Sequence, residues 1–299
     1  MYALLSKCKN LQLPIDIQLE LFDKTVVPIL LYGCEIWGTT KCDIIEAVHL
    51  KFCKLVLKVK SSTPNCMIYG ELGRLPLHLQ IKQRVISYWS NLLISNDNKL
   101  SSIMYKILYD SYVTDVYHDK WLDFVRNELY SNGLGYVWEQ QAEQSVVRTI
   151  SFYYSERMSD QFKQSWKTDL ENSGKCALYR DIKDFKFENY LRRLPCSLVR
   201  YITRFRLSST KLAIETGRYI NIEREDRFCN ICNLETIGDE YHLIFECKNE
   251  RIVDLRRKFL PESYMSNGSR NKLIVLLRNV EYPKIGIALG KFLKETKLM

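Results

Sequence analysis

The stretch from Phe228 to Cys247 constrains this chain more than any other. Its metal-type side chains follow the pattern C-x2-C-x9-H-x4-C, at Cys229, Cys232, His242 and Cys247. Two thiolates separated by two residues can grip one tetrahedral ion from a tight turn, and the histidine and last cysteine then complete the set from the next element. Asn230 and Asn233 suit such a turn, and Asp239 is placed to cap a helix that carries His242. The expected ion is Zn2+. So short a stretch has little apolar core of its own, so the ion should fold it, and four protein ligands leave no open position for catalysis.

Most of the remaining sequence reads as helix. Behind Pro14, the residues Ile15, Leu19, Phe22 and Val26 recur at helical spacing, with Pro28 expected to kink the helix and Gly33 or Gly38 to end it. Residues 43–59 place Ile44, Val48, Phe52, Leu55 and Val59 on one face and Lys51, Lys54 and Lys58 on another. A third helix runs to about Ile94 and should bury Ile81, Val85, Tyr88, Trp89 and Leu92, followed by a turn or linker at Ser95 to Asn98. Aromatics at helical spacing (Tyr153, Tyr154, Phe162, Trp166) read as packing. A helix over 197–207 should turn Leu198, Ile202 and Phe205 inward and Arg200 with Arg204 outward, and further helices are expected over 248–259, 270–279 and 284–297.

Strand patterns are confined to Tyr219–Glu223 and the residues beside the metal turns, so the fold class is mainly α. The expected order is a thumb-like helical bundle over 1–96, a helical connector over 97–187, a basic segment with the knuckle over 188–259 and a helical tail over 260–299.

Charge points to a partner class. The formal net charge is +9, and about two thirds of that excess sits between Arg192 and Arg218. There Arg192, Arg193, Arg200, Arg204, Arg206, Lys211 and Arg218 face a single acid, Glu215. Arginine suits phosphate because its planar fork donates two hydrogen bonds at once, so sequence-independent contact with a nucleic-acid backbone is expected, with strong salt dependence. No H-E-x-x-H, G-x-S-x-G, glycine-rich phosphate loop or adjacent Asp-Asp pair occurs. Asp181 and Asp184 read as solvated surface, and His49, His78 and His118 have no partner visible in sequence. The longest apolar run, Val26 to Tyr32, contains Pro28 and is too short to span a membrane. Without a secretory pattern and with most of its ten cysteines occurring singly, the chain is expected to be intracellular, nuclear or cytoplasmic.

Two stretches together resemble one family, the reverse transcriptases of non-LTR (LINE-type) retrotransposons, in the part that follows their polymerase palm. Residues Leu13 to Gly38, continued by Ile68 to Leu77, look like the helical thumb region. Residues Lys211 to Tyr219, followed by Arg227 to Cys232 and Gly238 to Cys247, are similar to the family's C-terminal Cys-Cys-His-Cys knuckle. The resemblance implies zinc ligands at Cys229, Cys232, His242 and Cys247, and template RNA or target DNA as partner of the arginine-rich approach. An intact reverse transcriptase acting in trans is a further candidate partner. The family's polymerase aspartates lie upstream of the thumb, and nothing after Cys247 matches its Pro-Asp nuclease motif, so a fragment that binds without catalysing is expected. Two alternatives stay open at this stage: a zinc-stapled protein-interaction module, and an unselected retroelement remnant.

Overall fold

The structure is a computed structural model that describes the chain apart from Lys41, Cys42, Asn96, Asp97, Ala142, Glu143, Asn233 and Ser266. The side chains of Gln144, Ser145, Val146, Arg148, Tyr264 and Met265 are likewise not described. Helix dominates, and among the described residues β structure is limited to one antiparallel bridge between Phe228 and Ile237, so the protein is mainly α. By contact the chain divides into two compact units interleaved in sequence. One comprises residues 1–24, 50–74 and 166–299, and the other residues 25–49 and 75–165.

The second unit is organised on the helix Leu77–Ile94, whose first turn is fixed by the Glu46 carboxylate accepting the Leu77 N–H at 2.7 Å. Its inward stripe of Val85, Ile86, Trp89 and Leu92 meets Leu122, Val125 and Leu129 of the helix Lys120–Ser131, with Trp138 and Tyr154 closing the core. Asp119 starts that second helix by accepting the N–H groups of Trp121 and Leu122, both at 2.9 Å. The Trp89 indole N–H stays satisfied inside this core, donating to the Tyr105 hydroxyl at 2.9 Å, which in turn donates to Gln141.

The first unit contains the metal-type residues and has a polar hub. Glu71 lies in the helix Asn65–Leu72 with its side chain fully buried. Its carboxylate accepts from the Tyr190 hydroxyl at 2.6 Å, the Tyr179 hydroxyl at 3.0 Å and Arg206 Nε at 2.9 Å. Arg206, also fully buried, reaches Glu188 at 3.2 Å and the Leu277 carbonyl, while Lys183 donates to Glu188 from the other side. Two acids and two cations thus balance. Burial alone would favour a neutral Glu71, but the Arg206 and Lys183 charges outweigh it and hold the carboxyl below its ordinary value. Gly73 ends this helix in the left-handed region at φ +58°, where a Cβ would lie 2.3 Å from the Phe187 amide nitrogen.

Around the hub, Phe22 and Phe52 stack with ring centroids 4.0 Å apart. The helix Cys196–Arg206 packs along Pro283–Thr296, and Glu250–Phe259 packs on that same C-terminal helix. Several expectations are corrected here. In Asp43–Leu57 the buried residues are His49, Phe52, Cys53, Val56 and Leu57, whereas Ile44 and Leu55 are exposed. The stripe is rotated because two contiguous pairs, Phe52–Cys53 and Val56–Leu57, face the core. Residues Tyr219–Glu223 are not a strand; Tyr219 ends a helix and Asn221 turns the chain at φ +54°. Pro28 interrupts rather than kinks, separating Ile15–Thr25 from a four-residue helix Val27–Leu30. Tyr154 and Trp166 are buried as packing, but Tyr153 is exposed. The linker expected at Ser95 to Asn98 falls partly on Asn96 and Asp97, outside the described residues. Among the described residues no helix is long and apolar enough to cross a membrane.

The hub makes two predictions for urea unfolding. Glu71→Gln should cost about 3–5 kcal/mol by leaving the buried Arg206 and Lys183 with Glu188 as their one carboxylate, and Glu71→Gln combined with Arg206→Met should cost less than the sum of the single changes. Because the folded Glu71 titrates below its unfolded value of about 4.3, its contribution is present above that pH and is lost as pH falls through the lower folded value. This acid-dependent part of the unfolding curve should shrink in Glu71→Gln.

Candidate metal centre

The first two ligands sit on a short loop stitched into a hairpin-like turn. Cys229 N–H donates to the Thr236 carbonyl at 2.8 Å and Gly238 N–H to the Arg227 carbonyl at 2.9 Å, on either side of the Phe228–Ile237 bridge. Gly238 is required by space, since a Cβ there would stand 2.8 Å from Cys229 Cα and 2.9 Å from Ala213 Cβ. Asn230 lies exposed in the turn, and Asn233 lies outside the described residues. The Asn249 side chain ties the turn to the next helix, donating to the Ile231 carbonyl at 3.1 Å while its oxygen accepts the Ile252 N–H at 3.3 Å.

The other two ligands sit at the ends of one wide helical turn, His242–Glu246. Asp239 caps it, accepting the His242 N–H at 2.8 Å. The turn is of π type, closed by Cys247 N–H donating to the His242 carbonyl five residues back at 2.8 Å. That closure turns Cys247 back toward His242, which a regular α-turn would not do with four residues between them.

As a result, one ligand atom from each of Cys229, Cys232, His242 and Cys247 lies within 4.8 Å of every other. Cys232, His242 and Cys247 are buried, and Cys229 is partly exposed. A tetrahedral ion with bonds of about 2.3 Å to sulfur and 2.0 Å to nitrogen spaces its ligands roughly 3.5–3.8 Å apart, so the cluster fits with small adjustments. Cys232 Sγ already stands 3.2 Å from His242 Nε2. The other ring nitrogen, Nδ1, meets Thr236 Oγ1 at 3.1 Å and the Glu246 carboxylate at 3.4 Å. That second contact leaves Nε2 facing the sulfurs, as a ligand histidine requires.

The two buried cysteines differ in their electrostatics. Burial raises the Cys232 thiol, yet hydrogen bonds from the Leu234 backbone, His242 and Cys229 together bring it down to about 7. Burial pushes the Cys247 thiol up to about 11. Three thiolates around a divalent ion leave one net negative charge, and a buried cation lies beside them. Arg256 donates to the Leu243 carbonyl at 2.9 Å and the His242 carbonyl at 3.2 Å, holding the π-turn while its charge favours the Cys247 and Cys232 thiolates. Arg256, Thr236 and Glu246 were not foreseen from sequence. For Arg256 the signal was its position four residues after Ile252, on the helix face that packs inward.

The seven basic residues do not share one environment. Arg206 departs most from expectation, since its guanidinium is enclosed in the Glu71 hub and reaches no surface. Arg192 pairs with Asp16 at 2.6 Å, Arg193 approaches Glu281 at 3.8 Å, and Arg218 approaches Glu215 at 3.4 Å. Lys211 is exposed, Arg200 is exposed over the ring of its neighbour Tyr201, and Arg204 donates to the Lys58 carbonyl at 2.6 Å. Neither Arg200 nor Arg204 carries an ion pair among the described residues. No protein-family model, no curated protein and no solved structure matches the chain.

If this cluster binds a metal, elemental analysis of purified protein should return about one ion per chain, and Cys232→Ala should lose it. Stripping it with a chelator should also lower the thermal midpoint and increase proteolysis of the 227–249 loop. An unchanged midpoint after complete metal removal would count against a folding role.

Proposed function

We propose that this chain is a zinc-clasped, mainly helical nucleic-acid-binding protein of the kind its sequence resembles, the C-terminal region of a non-LTR retrotransposon reverse transcriptase. One feature carries the reading, a depression of about 520 Å³ in the first unit. It is rimmed by Lys9, Lys58 and Arg200, floored by Leu13, Val56 and Val199, and contains no acidic residue in its lining. Arg204, bonded to the Lys58 carbonyl, extends the positive rim. Cations over an apolar floor suit a single strand, whose phosphates meet the rim while unstacked bases lie on the floor.

Zinc is the ion that best suits three thiolates and an imidazole in a tetrahedral set, and with four protein ligands it would hold shape rather than react. The apolar floor also favours a second reading, an acidic amphipathic peptide in the same groove. The two differ in salt response, because release of counterions from a strand makes affinity fall steeply with salt.

Binding of a single-stranded RNA, followed by fluorescence anisotropy, should weaken with a log–log salt slope of about −0.7 per phosphate neutralised. Arg200→Ala with Arg204→Ala should weaken binding and flatten that slope by about one or two contacts. A salt-insensitive interaction, or full binding by the double variant, would refute the reading.

A further inference from the structure

A second cavity, separate from that groove, lies beside the knuckle within the first unit. It encloses about 410 Å³, within the range of roughly 300–1,000 Å³ typical of small-molecule sites. Five cations line it, Lys175, Arg218, Arg224, Arg227 and Arg270, against three acids, Glu215, Asp239 and Glu240. The acids are already engaged. Glu215, buried, takes Lys175 at 3.0 Å and Arg218 at 3.4 Å; Asp239 accepts the His242 N–H; and Glu240 accepts the Ser208 hydroxyl at 3.0 Å.

Of the cations, Lys175 and Arg218 share Glu215, Arg270 pairs with Asp181 at 2.8 Å, and Arg227 donates to the Ile222 and Ile214 carbonyls at 2.9 and 3.2 Å. Arg218 lines the cavity with its side chain about one third exposed and one terminal nitrogen on Glu215. Arg224 has no ion pair among the described residues. The rest of the wall is mostly apolar, with Ala177, Leu178, Ile214 and Leu273, and includes Ser208 and Tyr241. Gly174 also lines the cavity, and a Cβ there would meet nothing within 4 Å, so a side chain can be added at that point of the wall without a clash.

We infer that this cavity is a binding site for a phosphorylated small anion of nucleotide size, its phosphate held at Arg218 and Arg224 and its base against Tyr241 and the aliphatic wall. Arginine pairs with phosphate through two parallel hydrogen bonds. The flat, apolar part of a nucleotide matches the remaining wall, whereas a free inorganic anion leaves that wall uncovered. The chemistry is shared by a free nucleotide and by the 5′-phosphorylated end of a strand.

The test is calorimetry on the full, metal-loaded chain with adenosine 5′-monophosphate, inorganic phosphate and adenosine. The nucleotide should bind more tightly than phosphate, and adenosine should not bind. Arg218→Gln should weaken the nucleotide by about tenfold or more, the loss of one charge-assisted hydrogen bond. Gly174→Phe should abolish binding by filling the cavity, with thermal midpoint and metal content unchanged; if it unfolds, Arg218→Gln still decides. Comparison of 5′-phosphorylated and 5′-hydroxyl oligonucleotides separates the sources. A gain from the phosphate that Gly174→Phe removes assigns the strand end, and nucleotide binding without that gain assigns the free nucleotide. Binding of neither nucleotide nor phosphate, or undiminished binding by both variants, overturns the inference. Because the readout uses a mononucleotide and leaves Arg200 and Arg204 untouched, its failure is distinct from failure of the groove.

Discussion

The buried carboxylate of Glu71 fixes where the separate segments of the first unit meet. It takes a hydroxyl from Tyr179, another from Tyr190 and the guanidinium of Arg206, and these come from sequence positions more than a hundred residues downstream. A carboxylate with all its acceptors used has one geometry, so the helices carrying those donors are held in one register. From Arg206 the chain turns at Ser208, which sits at φ +47° and donates to Glu240, two residues before His242. The hub and the metal cluster are therefore joined through Arg206, Ser208 and Glu240 rather than folding as independent pieces.

The two buried arginines of this unit solve the same problem in different ways. Arg206 is balanced by carboxylates in a closed polar network. Arg256 is satisfied by main-chain carbonyls, and its charge is left for the cysteines of the cluster. A guanidinium held by carbonyls alone would be an expensive buried charge, and its retention makes physical sense where thiolates stand nearby. The metal cluster and Arg256 are in this sense one electrostatic unit, and the π-turn that Arg256 holds is what brings Cys247 to its place.

What could be read from sequence divides along physical lines. The four metal-type residues were legible because ligand spacing on a turn and a helix is a local property, and the helix Leu77–Ile94 was legible because its apolar stripe is long. The rotation of the 43–57 stripe was not, since Phe52–Cys53 and Val56–Leu57 face a core assembled from distant segments. Glu71 carried a signal that went unused: an acid inside the run Met67 to Leu72, every other member of which is buried. The interleaving of the two units was invisible for the same reason, because each boundary falls within or beside a continuous helix.

The seven cations from Arg192 to Arg218 are close in sequence but do not form one surface, because Arg206 is enclosed in the Glu71 hub. A helix disperses neighbours in sequence around its axis, so Arg200 and Arg204 emerge on one side while Arg206 turns into the core. The positive patches that do form draw on cations from far apart: Lys9, Lys58 and Arg200 at the groove, and Lys175, Arg218, Arg224, Arg227 and Arg270 at the cavity. Each patch has an apolar wall beside its charges. A solvated basic coat has no need of such a wall, whereas a ligand that pairs phosphate with a flat ring does, and this pairing of surfaces is a stronger argument for a nucleotide-type partner than the net charge is.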